Sequence, residues 1–254
     1  MIFLGTGTSQ GIPVIACPCA VCASNDLHDK RLRCSALVQV DGKNILIDSG
    51  PDFRQQMLRA GIIRLDAILF THGHKDHTAG LDDVRAYNYI MQCPMDIYAE
   101  ERVQKVLRRE FDYIFSENKY PGVPKLNMHT IDETPFTIDQ ITVTPIRAMH
   151  LKLPILGFRI GQLAYLTDVN SISEPEKDKL HGLDCFVING LRQEPHISHF
   201  TLKEALALIN EVKPKQAYIT HISHQLGFHQ KVQDGLPPNV FLAYDGLEVF
   251  LYDR

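Results

Sequence analysis

Residues 71 to 77 read Thr71-His72-Gly73-His74-Lys75-Asp76-His77, directly behind the apolar run Leu65-Asp66-Ala67-Ile68-Leu69-Phe70. A run of that length and composition makes a buried strand, so four metal-competent side chains leave a strand end together. Alternate residues of an extended chain point the same way, which lets His72 and His74 grip one ion. Gly73 allows the loop to turn, and Asp76 and His77 then face a second ion. Two ions about 3.5–4 Å apart form a clamp that activates water and stabilises both oxygens of a displacement. Lone histidines are ordinarily surface or satisfied core residues. Four ligand-type residues in six positions behind a strand resist that reading, because buried without a cation they would be left unpaired.

The rest of the chain constrains the setting. With 254 residues, 44% hydrophobic and 22% charged, it has ordinary globular composition and enough length for a sizeable core. A formal net charge of −4 leaves no electrostatic footprint for general nucleic-acid binding, so such a partner is disfavoured. No stretch approaches the roughly 20 apolar residues of a membrane span. Met1-Ile2-Phe3-Leu4 runs straight into Gly5-Thr6-Gly7 without the regions of a signal peptide, and a cytoplasmic protein with no membrane partner is expected.

Short strands are expected at Ile2–Leu4, Ala36–Val40, Asn44–Ile47, Asp66–Phe70, Ile97–Ala99, Ile141–Ile146, Gly157–Ile160, Ala164–Leu166, Cys185–Ile188, Ala217–Thr220 and Glu248–Leu251. Helical spacing marks Phe53–Ala60, Glu100–Phe111, Glu174–Leu180 and Leu202–Glu211, the last behind a Thr201/Glu204 capping box. Many short strands with occasional helices imply sheets packed face to face with helices outside. No linker or repeat interrupts the pattern, so one domain over residues 1–254 is expected. Gly5-Thr6-Gly7-Thr8-Ser9-Gln10-Gly11 suggests a dinucleotide loop, but Ile12-Pro13 stands where the helix should begin. A tight loop bringing backbone near the metals is the better reading.

Two ions need further ligands. His150 follows Ile141–Ile146, Asp168 follows Leu163–Thr167 and His221 follows Gln216–Thr220, each at the end of an apolar run. A second cluster, Cys17-Pro18-Cys19-Ala20-Val21-Cys22, lacks one soft ligand for a closed tetrahedral zinc site, and His224 in His221-Ile222-Ser223-His224 is the best partner. Cys17 and Cys19 are too close for comfortable pairing as a disulfide. Cys34, Cys93 and Cys185 are expected to be inert.

The His72-x-His74-x-Asp76-His77 motif followed by His150, Asp168 and His221 resembles the metallo-β-lactamase-fold superfamily over essentially the whole chain. The resemblance implies an α/β four-layer αβ/βα sandwich, two mixed sheets face to face with helices outside and metals at one rim. It implies His72, His74 and His150 on one ion, Asp76, His77 and His221 on the other, Asp168 bridging, and Asp48 of Leu46-Ile47-Asp48-Ser49-Gly50 supporting the ligand loop. Zinc, manganese and iron all suit such donors. With two divalent ions, two carboxylates and a bridging hydroxide the site carries a net charge of about +1, which favours an anionic group such as a phosphodiester.

Gly5-Thr6-Gly7, Gln10-Gly11-x-Pro13, the cysteine cluster and His221-Ile222-Ser223-His224-Gln225 together look like the PhnP branch, phosphodiesterases that open a cyclic phosphate on ribose. There a histidine beside a helix start is the general acid, and His199 of Ser198-His199-Phe200-Thr201 matches it. His196 matches less well and reads as an ordinary loop histidine. The implied partner is a small phosphorylated substrate. Arg54 and Arg85 are candidates for a second phosphate, although surface or structural ion pairing is the commoner role for such arginines. The aromatic, turn-rich segment 108–139 reads as a long irregular stretch that could line a pocket, form a lid or pack a homodimer. Rival activities on the same metals are a ribonuclease Z-like endonuclease and a lactone or thioester hydrolase. A non-catalytic metal-binding module fits worst, since every ligand type is present.

Overall fold

The computed structural model describes residues 1–251. The first half of the chain builds one mixed sheet from β1 (Ile2–Gly5), β2 (Ser35–Val40), β3 (Lys43–Ile47), β4 (Ala67–Leu69), β5 (Met95–Ala99) and β6 (Leu126–Thr130). These strands lie side by side in sequence order, antiparallel from β1 to β3 and parallel from β3 to β6. The second half repeats the plan with β7 (Phe136–Ile138), β8 (Ile141–His150), β9 (Leu153–Ile160), β10 (Leu163–Tyr165), β11 (Cys185–Asn189), β12 (Gln216–Thr220) and β13 (Val240–Leu242). It too is antiparallel at first, from β7 to β10, and parallel thereafter.

Parallel neighbours require crossovers, and helices supply them. In the first half they are α1 (Phe53–Ala60), the single turn α2 (Lys75–Thr78), α3 (Arg85–Met91), α4 (Glu101–Glu110) and α5 (Asp112–Phe115). In the second they are α6 (Glu174–Lys177), α7 (Leu202–Val212) and α8 (His229–Gln233). Side-chain alternation along each strand then makes a layered core. Ala36 and Val38 of β2 meet Cys185 and Val187 of β11 between the sheets. Leu37 faces outward into the cluster that receives Phe53 and Met57 of α1, while Phe186 and Ile188 face Ala205 and Leu208 of α7. Each fully buried Leu, Ile or Phe contributes roughly 1.5–3 kcal/mol, so the two sheets are held on both faces. The result is the four-layer αβ/βα sandwich expected from the sequence.

Local signals set the helix ends. Gly61, at φ 63°, closes α1 by returning its N–H to the carbonyls of Leu58 and Met57. At the start of α7 the Thr201 hydroxyl accepts from the Glu204 N–H at 3.2 Å, and the Glu204 carboxylate accepts from the Thr201 N–H at 2.8 Å.

Two expectations change. Glu248–Leu251 is not a strand; Glu248 makes one isolated antiparallel bridge to Ile2, and the closing strand of the parallel series is β13, at Val240–Leu242. Segment 108–139 is not irregular throughout, since it contains the end of α4, then α5, β6 and β7. Among the described residues no helix is long and apolar enough to cross a membrane.

Candidate metal centre

One rim of the sandwich collects the strand ends that carry the predicted ligands. Asp48 directly follows β3, His221 directly follows β12 and Asp168 lies just beyond β10. All three adopt the left-handed backbone region, with φ of 62°, 51° and 59°. Holding a non-glycine residue there costs roughly 1–3 kcal/mol, and such strain concentrates at functional sites. The heptad leaves β4 through Phe70 and Thr71, places His72 and His74 on the loop, and enters α2 with Asp76 and His77 in its one turn. His150 is the last residue of β8.

These segments converge on Asp168. Three sets of donor atoms, each mutually within 4.8 Å, share it: His72, His77 and Asp168; His150, Asp168 and His199; Asp76, Asp168 and His221. His74 closes the remaining side, with its ring centroid 4.6 Å from that of His72 and 5.2 Å from that of His150. His221 stacks against His77 at 5.9 Å. Every residue expected to hold the two active-site ions is therefore in one cluster.

Do these residues fit a cation? His72 Nε2 and His77 Nε2 are buried and make no hydrogen bond among the described residues. Yet His77 Nε2 lies 3.1 Å from Asp168 Oδ2 and 3.2 Å from Asp76 Oδ2. Donor atoms packed this closely without hydrogen-bond geometry are what shared coordination of a divalent ion would leave, and orphaned buried nitrogens are costly otherwise. The donor set, imidazoles and carboxylates, suits a divalent ion such as zinc or manganese.

The surrounding hydrogen bonds fix which nitrogen is offered. Asp48, 1% exposed, accepts from the Thr71 N–H at 2.9 Å, from the Thr71 hydroxyl at 2.8 Å and from His77 Nδ1 at 2.7 Å. Because the Thr71 hydrogen goes to Asp48, its oxygen must accept from His72 Nδ1 at 2.9 Å. Both histidines are thereby protonated at Nδ1, with Nε2 turned to the centre. His150 Nδ1 donates to the Ser198 carbonyl at 2.8 Å, which likewise turns its Nε2 inward. Thr71 and Ser198 were not singled out from the sequence; their places beside His72 and His199 were the available signal.

Charge follows the same geometry. Burial opposes ionisation of Asp76 and Asp168, but imidazoles outweigh it: His77 first for Asp76, His221 and then His77 for Asp168, so both carboxyls stay well below the usual range. His77 is pulled down by burial and more strongly up by Asp76, Asp168 and Asp48, ending well above an ordinary histidine. Burial, reinforced for His72 by His77, pushes His72 far down and brings His221 to about 4. The neutral rings of His72 and His221 and the ionised carboxylates are the ligand forms a cation needs, whereas His77, held protonated by its carboxylate neighbours, would give up its Nε2 proton to bind an ion.

Three residues past His221 the same loop presents His224 to the cysteine cluster. Its Nδ1 lies 3.4, 3.2 and 3.6 Å from the sulfurs of Cys17, Cys19 and Cys22. The Val14 N–H points at Cys22 Sγ and the Cys22 N–H at Cys19 Sγ, both at 3.4 Å. The Cys22 N–H and then His224 lower the Cys19 thiol to about 6, while burial raises Cys22 to about 11. Three thiols and one imidazole in mutual contact match a closed tetrahedral zinc site.

The arginine candidates fall outside both clusters. Arg85 pairs with Asp82 at 3.1 Å in an i,i+3 surface bridge. Arg54 is exposed on α1, and its side chain makes no hydrogen bond or ion pair among the described residues. The glycine-rich loop does approach the centre, since Thr8 N–H donates at 3.1 Å to the Ile222 carbonyl beside His221. Gly50 is required to be glycine because a Cβ would collide with the Asp76 carbonyl. His199 Nε2 lies 3.0 Å from Asp168 Oδ1.

Comparison with known proteins places this architecture. The beta-lactamase superfamily domain model matches residues 43–222. An octanoyltransferase of Porphyromonas gingivalis (strain ATCC BAA-308 / W83) is 43% identical over 256 residues, covering 100% of this chain but 52% of that protein. The chain thus spans about half the length of that relative, whose name does not say which half carries the transfer activity. A solved diphosphatase of the PhnP family superposes with a TM-score of 0.92 at 42% identity, covering 98% of this chain and 96% of that one. Zinc-bound PqqB from Methylobacterium extorquens shares the fold, with a TM-score of 0.80 at 20% identity, covering 98% of this chain and 99% of that one.

Proposed function

The chain belongs to the beta-lactamase superfamily, as a PhnP-like metallo-hydrolase of the metallo-β-lactamase fold, and on that premise we propose that it is a phosphodiesterase with a dinuclear centre acting on a small, cyclic phosphodiester such as a ribose cyclic phosphate. The observation that carries the reading is the convergence of three donor sets on Asp168, with two buried imidazole nitrogens otherwise unpartnered. His72, His74 and His150 would hold one ion, Asp76, His77 and His221 the other, and Asp168 both. Two divalent ions there would lower the pKa of water toward neutrality and draw charge from phosphoryl oxygens. The similarity to a solved diphosphatase supports cleavage at phosphorus over lactone or thioester chemistry.

The residues supply the rest. Asp48 and Thr71 hold the His72 and His77 rings so that neither can turn its protonated nitrogen inward. Asp76, at the start of α2, brings an ionised carboxylate to the centre and offsets part of its positive charge. His199, beside Asp168 and stacked 5.1 Å from His221, is the group that can pass a proton to a departing alkoxide. The cysteine cluster would hold a structural zinc that braces the loop presenting His221.

The test is a turnover comparison across cyclic phosphates, linear phosphodiesters, diphosphates and lactones, with metal content measured on the same sample. Highest turnover on a cyclic phosphate supports the proposal. Activity confined to lactones would sink it. Replacing His199 by Ala should cost about 10²–10⁴-fold with a poor leaving group and much less with nitrophenolate.

A further inference from the structure

We propose that His196 is a positioning residue for His199, fixing the imidazole that the preceding reading makes the general acid; the inference rests on that reading for its catalytic meaning, though not for its geometry. The segment from Pro195 to Phe200 is exposed or half-buried and looks like ordinary loop. It is nonetheless pinned on both sides. The Phe200 N–H donates to the Val169 carbonyl at 2.7 Å, and the Ser198 carbonyl receives the His150 ring at 2.8 Å.

Within this loop the hydrogen bonds can be assigned. The Ser198 backbone N–H points at His196 Nδ1 at 3.4 Å, and a backbone N–H can only donate. His196 Nδ1 is therefore the acceptor form of that ring. His199 Nδ1 lies 3.0 Å from the same atom. Two lone pairs do not pair with one another, so His199 carries a hydrogen on Nδ1 and donates it to His196. Ser198 Oγ sits 3.1 Å from His199 Nδ1 and 3.3 Å from His196 Nδ1, closing a triangle around the shared hydrogen. With Nδ1 held from the loop side, His199 Nε2 is the atom presented to Asp168 Oδ1 at 3.0 Å.

An imidazole can otherwise turn over about its outer torsion, which exchanges a nitrogen for a carbon at the reacting side. Ser198 alone is a weak restraint, because its hydroxyl rotates to suit any partner. His196 supplies a ring of fixed geometry. The bland alternative is a half-exposed histidine in chance contact, but chance does not account for three polar atoms meeting at one nitrogen. His196 is outside the apolar core, so its replacement should leave the fold intact.

The experiment uses the zinc-loaded protein with His196→Ala, His196→Asn, His199→Ala and the His196→Ala/His199→Ala pair. His196→Ala should lower kcat about tenfold on an alkyl phosphodiester, part of the 10²–10⁴ that a general acid supplies, with KM unchanged and little effect on bis(4-nitrophenyl) phosphate. Asn keeps an acceptor near the Nδ1 position and should restore part of the loss. In the His199→Ala background, removal of His196 should cost nothing more. Equal losses on both substrates, or fully additive losses in the pair, overturn the proposal. Histidine ¹⁵N NMR of the same zinc-loaded protein reads the contact without substrate. It should show His199 Nδ1 protonated in the parent, and an unprotonated Nδ1 there overturns the proposal whatever the activity. A metal-loaded parent inert toward every phosphodiester would instead refute the functional reading, and the NMR result would still decide the contact.

Discussion

The two ligand clusters sit three residues apart on one loop, at His221 and His224, and they are built on opposite terms. Around Asp168 the donors are imidazoles and carboxylates scattered between residues 72 and 221, mostly buried apart from His74 and Asp76, and His72, His77 and His150 are aimed by Thr71, Asp48 and Ser198. Around Cys22 the donors are soft and partly exposed, three of them lie within six residues, and their support is backbone N–H groups donating to sulfur. The first arrangement leaves two buried nitrogens without partners and stores backbone strain at Asp168 and His221. The second uses all four of its ligand atoms on one another. A centre that is strained and under-satisfied is suited to reacting, whereas one that is closed is suited to holding a loop still.

That contrast predicts unequal consequences of substitution. Asp168→Ala removes the carboxylate common to three donor sets, so it should abolish turnover and release both active-site ions. The loss should exceed the roughly 10–100-fold typical of a group that only supports a ligand. Asp48→Asn should fall within that 10–100-fold range, because the amide can still meet Thr71 but presents the wrong group to His77 Nδ1. Metal analysis and kinetics on the two variants read this directly. Should Asp48→Asn prove as damaging as Asp168→Ala, the division between holding and aiming would be wrong.

Replacement of Cys17, Cys19 or Cys22 by Ser should do the reverse of Asp168→Ala. One ion of three should be lost, the two near Asp168 retained, and turnover reduced modestly through a loosened His221 loop. The principal readout is thermal, since about 1 kcal/mol corresponds to roughly 2–4 °C in a chain of this size. Unchanged metal content in all three variants would remove the structural zinc from the model. A collapse of activity to the Asp168→Ala level would mean that the clusters act as one.

The same contrast explains what could be read from the chain alone. The cysteine cluster and the heptad were legible because their ligands are close in sequence. The buried strands were legible because both of their faces are apolar, as in Cys185–Asn189. By contrast β6, β7 and β13 escaped notice. β6 is an edge strand whose Leu126-Asn127-Met128-His129-Thr130 is half-exposed or exposed throughout, and the other two are three residues long and, unlike the equally short β4 and β10, not buried along their whole length. Helices α3 and α8 were missed because each buries a single residue, Tyr87 and His229, too few to make an apolar stripe. In the centre, ligand identity was readable but aim was not. Thr71 and Ser198 act through atoms whose direction depends on how distant strands are brought together, and the contact between His196 and His199 depends on a loop pinned to Val169.

The smallest expected effect tests how much of the cysteine region stands without metal. Behind that loop, the buried Arg31 guanidinium donates to Thr6 Oγ1 at 2.8 Å, to the Ala243 carbonyl at 2.5 Å and to His229 Nδ1 at 3.0 Å. Asp29 accepts from the His229 N–H at 2.7 Å, so the network ties the N-terminal segment to α8 through protein atoms alone. Burial and then Arg31 push His229 down to about 4, against an ordinary value near 6.5. Between those values the unfolded chain binds a proton there that the folded chain excludes, so stability rises with pH across the window and is lost as pH falls through it. Thermal melts of metal-loaded protein from pH 7 to pH 4.5 should therefore slope downward. His229→Gln should flatten that slope slightly while keeping an acceptor for Arg31, and any acid-driven loss of metal, common to both proteins, cancels in the difference. An identical slope in the variant would show that the whole acid sensitivity belongs to the metal clusters, leaving the network no share in holding the loop.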